Sequence, residues 1–275
     1  MKLRPFALLR RAVTLLFLLL VPAARPASVL AAPARSLTVF AAASLADAFQ
    51  DLAHRFEAAH KDVKVRMSFL GSQQLAAQLA QGAPADVFAS ADDRSMEGAK
   101  AAGRIAGDPV TFAYNRLVVI VPRTNPARIG GLKDLARHGV KFVLGAESVP
   151  VGHYSREVLA NLATRPEFGP DFARRALANL VSEEENVKAV VGKVQLGEAD
   201  AGMCYRSDVT AAVSRYVTMF AIPDSANVLA SYPIAVVTAS ASPELAQAFV
   251  DLVRSPAGQG ALIAHGLIPA GASGP

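Results

Sequence analysis

The sequence predicts an α/β fold in two lobes, each a mostly parallel sheet flanked by helices. Three observations carry this. Short apolar strand patterns alternate with helix patterns along nearly all of the 275 residues, as crossover-connected parallel strands do. Several hydrophobic strands end on small or hydroxyl residues and lead straight into a helix, and the carboxyl ends of such strands are where α/β folds place their crevices. No single linker rich in proline and glycine divides the chain, so it passes between lobes more than once. The passages are placed near 112–116 and 230–233, giving one lobe of residues 35–114 plus 231–275 and a second of 115–230.

The elements follow in order. LTVF (37–40) reads as a strand and 45–60 as an amphipathic helix. VKVRMSF (63–69) is a strand followed by a helix over 73–81. ADVFASA (85–91) is a strand before a helix over 95–102, and RLVVIVP (116–122) is a β-branched strand. KFVLGA (141–146) leads to a helix over 154–163, and 170–179 is helix-like. A helix over 186–196 precedes the buried strand AGMCY (201–205). A helix near 207–214 is expected next, then strands YVTMFAI (216–222) and YPIAVV (232–237). Two helices, 243–254 and 256–265, close the chain.

Residues 1–34 stand apart. A basic start (Lys2, Arg4, Arg10, Arg11) precedes an apolar run over 12–21 and a stretch of small residues ending near Ala31 or Ala34. This is the pattern of a cleaved secretory signal peptide, too short in its apolar part to span a bilayer comfortably. Its removal takes five of the 28 Lys and Arg and none of the 23 Asp and Glu, leaving 23 of each. The sequence pI near 9.5 is therefore largely a property of the discarded segment, and nothing points to a nucleic-acid or membrane surface. Cys204 is the only cysteine, so no internal disulfide forms, and no cysteine stands near the cleavage region to carry a lipid anchor. An exported, unanchored product fits the periplasm.

The chemistry lies at the helix starts. A helix N-terminus presents unpaired N–H groups and the positive end of its dipole, a ready anion site without side-chain charge. Four stretches supply one each: LTVFAAASLADAF, VKVRMSFLGSQQLAAQL, VKFVLGAESVPVGHYSREVL, and the helix of EENVKAVVGKVQLGE before AGMCYRSD. Ser44 and Ser72 stand at two of these starts. The Ser44–Asp47 spacing is also that of a capping box, and capping alone accounts for either serine. Tyr205 ends an apolar strand, where a buried hydroxyl needs a partner.

At AAASLADAFQDLA, GSQQLAAQLAQGAPADVFASAD, SVPVGHYSREVL and GEADAGMCYRSD the chain resembles the periplasmic molybdate-binding proteins of ABC importers, from about Leu37 to Gly266. The resemblance implies a periplasmic-binding-protein fold closing on one tetrahedral oxyanion, molybdate or tungstate, for delivery to the membrane permease of an ABC importer. It implies a monomer with no cofactor and no enzymatic activity. Carried over one at a time, the ligand positions are Ser44, Ser72, Val151, Val187 and Tyr205, the two valines through main-chain N–H alone. Val151 stands where the family often has alanine, and Gln73-Gln74 departs from its usual small-residue run.

The sequence also admits other readings. Arg206 could offer a cation beside the site or pair with Asp208. The acidic run 183–185 reads as a solvated approach to the next helix. Cys204 with His153 suggests a catalytic pair only weakly, because buried inert thiols are commoner. A secreted hydrolase would need a G-x-S-x-G elbow or an H-E-x-x-H pattern, and neither occurs in the sequence. Binding of sulfate or another small anion is the nearest alternative.

Overall fold

The computed structural model describes residues 35–271; the expected export segment, 1–34, lies outside the described residues. Ten strands form one sheet. In chain order they are β1 (Arg35–Ala42), β2 (Val63–Leu70), β3 (Val87–Ala89), β4 (Ile105–Pro122), β5 (Phe142–Gly145), β6 (Leu180–Glu184), β7 (Ala201–Tyr205), β8 (Val217–Ala221), β9 (Leu229–Val237) and β10 (Ile268–Pro269). The helices are α1 (Ala46–Ala59), α2 (Ser72–Ala80), α3 (Asp93–Ala101), α4 (Pro150–Ala163), α5 (Phe172–Leu177), α6 (Val187–Gln195), α7 (Pro243–Arg254) and α8 (Pro256–Ala264).

The strand order is β2-β1-β3-β9-β4-β7-β5-β6, with β8 and β10 also paired to β4. Parallel pairs occupy the two flanks: β1 with β2 and β3, and β5 with β6 and β7. The centre is antiparallel, so the sheet is mixed where the sequence suggested mostly parallel. The cause is the long strand β4. Its first part, through Arg116, pairs with β9, and its second part, from Leu117, pairs with β7 and β8. Two strands that carry a chain outward and back run in opposite directions, which makes the middle of the sheet antiparallel.

The helices bury the stripes their sequences encode. In α1 the buried positions are Ala48, Phe49, Leu52, Ala53 and Phe56, the i, i+4 spacing of a single apolar face. That face meets Phe249 of α7, whose ring centroid lies 6.0 Å from Phe49 and 5.4 Å from Phe56. Every residue of β5 and β7 is buried, as expected for strands covered on both sides.

Some elements differ from expectation. The helix expected near 207–214 is two 3-10 turns, Arg206–Asp208 and Val213–Arg215. Asp208 turns back to accept the Tyr205 N–H at 3.1 Å, which closes the first turn at once. The acidic run includes the end of β6: Glu183 pairs with Arg156 and Glu184 with Lys193. Residues 105–115, not anticipated as a strand, form the irregular first part of β4, with register shifts against β9.

Candidate functional site

Three helices begin where parallel strands end. Gly71 alone separates β2 from α2, while short loops join β5 to α4 and β6 to α6. Ser72 is the first residue of α2, Val187 the first of α6, and Val151 the second of α4, behind Pro150. N–H groups at these positions have no partner inside their own helix. At α6 the Asn186 side chain accepts from Ala189 N at 3.1 Å, which satisfies the third position and leaves the first two free. Ser44 lies in the 3-10 turn Ala43–Leu45 between β1 and α1.

All five residues singled out from the sequence line one cavity, together with Ala42, Ala43, Leu70, Gly71, Ala91, Val149, Pro150 and Asn186. About 20 Å³ of it is open to the centre of a water-sized sphere. Taken as a ball, that is room for an object of roughly 3 Å radius, enough for one small tetrahedral ion and too little for a sugar or amino acid. None of the lining side chains is charged.

Two hydroxyls on the cavity wall, those of Ser72 and Tyr205, are left free to donate. Ser72 Oγ accepts from Ala91 N at 2.9 Å, so its own proton is free. Ser44 Oγ sits 3.0 Å from Tyr232 Oη. Tyr205 is 1% exposed, and its Oη has no hydrogen-bond partner among the described residues. Burial, first of all, pushes that phenol well above its ordinary pKa, with Tyr232, Tyr154 and nearby carboxylates adding to the effect. It therefore keeps its proton. A buried hydroxyl without a partner is costly, and its position on the cavity wall gives it a ligand to look for.

Neither serine caps a helix. The residue preceding α1 is Leu45, with no side-chain cap, and Asp47 reaches Lys188 instead. At α2, Gln74 Oε1 accepts the Gly71 N–H at 3.1 Å, leaving Ser72 to the cavity and Ala91. The capping reading is thus set aside for both.

Charge lies one layer out. Lys188 Nζ is 3.2 Å from Asp47 Oδ2 and 3.4 Å from Asp208 Oδ1. Burial pushes the Asp208 carboxyl up to about 6, with Lys188 and the Tyr205 N–H pulling the other way. The partner of Asp208 is therefore Lys188, not Arg206, which is exposed. Cys204 is fully buried and burial raises its thiol pKa well above the ordinary value. His153 is exposed on α4, and neither residue lines the cavity. Among the described residues no group of three His, Cys, Asp or Glu could hold a metal ion.

Contacts bridge the mouth. Gln73 Nε2 donates to the Glu185 carbonyl at 3.0 Å and Gln74 Nε2 to Glu185 Oε2 at 3.1 Å. Arg94 Nη2 donates to the carbonyls of Glu147 and Ser148. Gly71 is required here, because a Cβ on it would stand 2.5 Å from the Glu185 carbonyl oxygen. Sequence reasoning gave no role to Gln73, Gln74, Lys188, Asn115 or Tyr232. The glutamines carried the one available signal, as a departure from the small-residue run.

Comparison with known proteins identifies the family and the fold. The sequence profile of the family described as bacterial extracellular solute-binding protein matches residues 37–268. The molybdate-binding protein ModA of Mycobacterium tuberculosis is 41% identical over 237 residues, which is 85% of this chain and 86% of that one. Two solved structures share the fold. The periplasmic molybdate-binding protein of Azotobacter vinelandii superimposes with a TM-score of 0.72 at 23% identity, over 84% of this chain and 98% of its own. The sulfate-binding protein SubI of Mycobacterium tuberculosis superimposes at 0.76 and 20% identity, over 86% and 88%. At such identities the two likenesses speak to the two-lobed α/β fold alone.

Proposed function

Because the chain belongs to the bacterial extracellular solute-binding proteins, we propose that it captures molybdate or tungstate in the periplasm and delivers it to the membrane permease of an ABC importer. The ligand is held by the Ser44 and Ser72 hydroxyls, the Val151 and Val187 main-chain N–H groups and the Tyr205 phenol. The protein acts as a monomer and catalyses no reaction. Residues 35–114 with 231–275 form one lobe and 115–230 the other, and the anion draws the two together.

The observation that carries this reading is a small cavity without charged side chains at three helix N-termini, into whose wall a partnerless buried phenol is built. Hydrogen bonds to a charged group contribute about 1.5–3 kcal/mol each, so four or five reach the roughly −8 kcal/mol of micromolar affinity. A set made of donors favours a fully deprotonated dianion, since a protonated oxyanion would need an acceptor. Tight binding favours the closed form and shifts the lobe equilibrium toward it. The 41% identity to a molybdate-binding protein selects molybdate over sulfate.

Calorimetry on the mature protein with molybdate, tungstate, sulfate and phosphate tests the proposal. The expected result is tight 1:1 binding of the first two and little response to the others. Sulfate bound as tightly as molybdate would sink the assignment of ligand while leaving the oxyanion site standing.

A further inference from the structure

Tyr232, on β9, is fully buried and does not line the cavity. Its Oη lies 3.0 Å from Ser44 Oγ and 3.4 Å from Asn115 Nδ2. Asn115, fully buried on β4, has its amide orientation fixed from outside, because the Arg116 N–H donates to Asn115 Oδ1 at 3.0 Å. The NH₂ end then faces Ser207 Oγ, at 2.7 Å, and Tyr232 Oη.

The protons follow by counting. An amide nitrogen can only donate, so Tyr232 Oη accepts from Asn115. A phenol has one proton, and the remaining neighbour is Ser44 Oγ, which receives it. Ser44 then cannot return a proton along the same line, and its own O–H turns to the cavity. Ser72 reaches the same state independently by accepting from Ala91 N.

Resting on the oxyanion reading above, we propose that Tyr232 is a specificity-determining positioning residue. Held by Asn115, it fixes the Ser44 hydroxyl as a donor and so biases the site against oxyanions that carry a proton. Its ring, T-shaped against Tyr205 with centroids 5.7 Å apart and against Phe112 at 6.3 Å, is a separate packing role that Tyr232→Phe preserves. The variant removes the relay and spares the packing. The freed Ser44 oxygen can then accept from a protonated ligand.

The test is a double-mutant cycle of Tyr232→Phe and Ser44→Ala, with calorimetric titration of molybdate, sulfate and monohydrogen phosphate and a thermal-unfolding check on each protein. Tyr232→Phe is expected to weaken molybdate and sulfate together by about tenfold. Phosphate binding should not fall, so the molybdate-to-phosphate ratio narrows by a similar factor. In the Ser44→Ala background Tyr232→Phe should have little further effect, as residues acting through one another do. Additive losses, or an equal loss for all three anions, would overturn the relay while leaving the oxyanion site intact. Wild-type protein that ignores both molybdate and sulfate would overturn the oxyanion reading itself. Should Tyr232→Phe fail to fold, Asn115→Ala leaves the phenol oxygen open to accept from Ser44 and is expected to narrow the same ratio; an unchanged ratio counts against the relay.

Discussion

Replacing Tyr205 by Phe removes one oxygen and nothing else, and the two states of the protein respond in opposite directions. Without ligand, Tyr205 Oη is buried with no partner among the described residues. A buried unsatisfied hydroxyl costs about 1–3 kcal/mol, so its removal leaves stability unchanged or raises it. The ring contact with Tyr232 survives. With ligand, on the proposed reading, the same oxygen hydrogen-bonds the anion, a contact worth about 1.5–3 kcal/mol. At 1.4 kcal/mol per decade the variant binds molybdate roughly 10- to 150-fold more weakly. Thermal unfolding with and without molybdate, beside calorimetry, reads both effects. The ligand-free midpoint should hold or rise, and the ligand-induced increase should shrink. Affinity within about twofold of wild type, or a ligand-free protein destabilised by more than about 1 kcal/mol, would refute the reasoning and make the phenol a structural group.

Two further outcomes follow from the surroundings of the cavity. The Gln73→Ala/Gln74→Ala protein loses two hydrogen bonds across the mouth. Ligand release should quicken by about 2- to 10-fold with little change in capture rate, measured by stopped-flow displacement using tyrosine emission, since the chain has no tryptophan. An unchanged release rate would show that these contacts do not hold the mouth shut. The Asp208 carboxyl, raised by burial from 3.8 to about 6, keeps its proton in the folded protein over a pH range where the unfolded chain has released it. Its contribution to stability therefore falls as pH rises from about 4 to about 6, by roughly 1–3 kcal/mol, and is flat above. Asp208→Asn should abolish that slope in denaturant unfolding across the window, and an identical slope in both proteins would refute the assignment.

Much of this architecture is written locally in the chain. The stripe of Phe49, Leu52 and Phe56 on α1 specifies its element by period, and the short unbroken apolar runs of β5 and β7 specify theirs by length and flanking residues. Ser44 and Ser72 stand at helix starts that a strand ending on small or hydroxyl residues makes visible, whereas Val151 and Val187 came only with the family resemblance. What stayed hidden depends on pairings at long range. β4 is one strand only because β9, more than 110 residues later, pairs with its first part. Residues 105–115, interrupted by Gly107, Asp108 and Pro109, carry little strand signal of their own. Tyr232 and Asn115 are equally opaque, since their meaning arises when two crossing strands bring them to within 3.4 Å. The S-x-x-D spacing at Ser44 pointed to a cap for the opposite reason. The local pattern was present, but a distant tyrosine took the serine and a distant lysine took the aspartate.

The placement of charge explains how such a site can bind firmly and still let go. Lys188, beside the first turn of α6, faces two carboxylates, Asp47 and Asp208, so it brings no surplus positive charge to a dianion. Attraction must come from the helix ends, whose amides are fixed before the ligand arrives and need no reorganisation when it does. Those ends belong to opposite sides of the mouth: α2 follows β2 on one flank of the sheet, while α4 and α6 follow β5 and β6 on the other. On the proposed reading, an anion touching all three adds a stronger link across the mouth than the contacts of Gln73, Gln74 and Arg94 at the rim, which are partly solvated and contribute only about 1 kcal/mol each. Parting the flanks separates the donors into two sets, neither sufficient alone. Release then requires a movement of the protein and no chemical step at the ion.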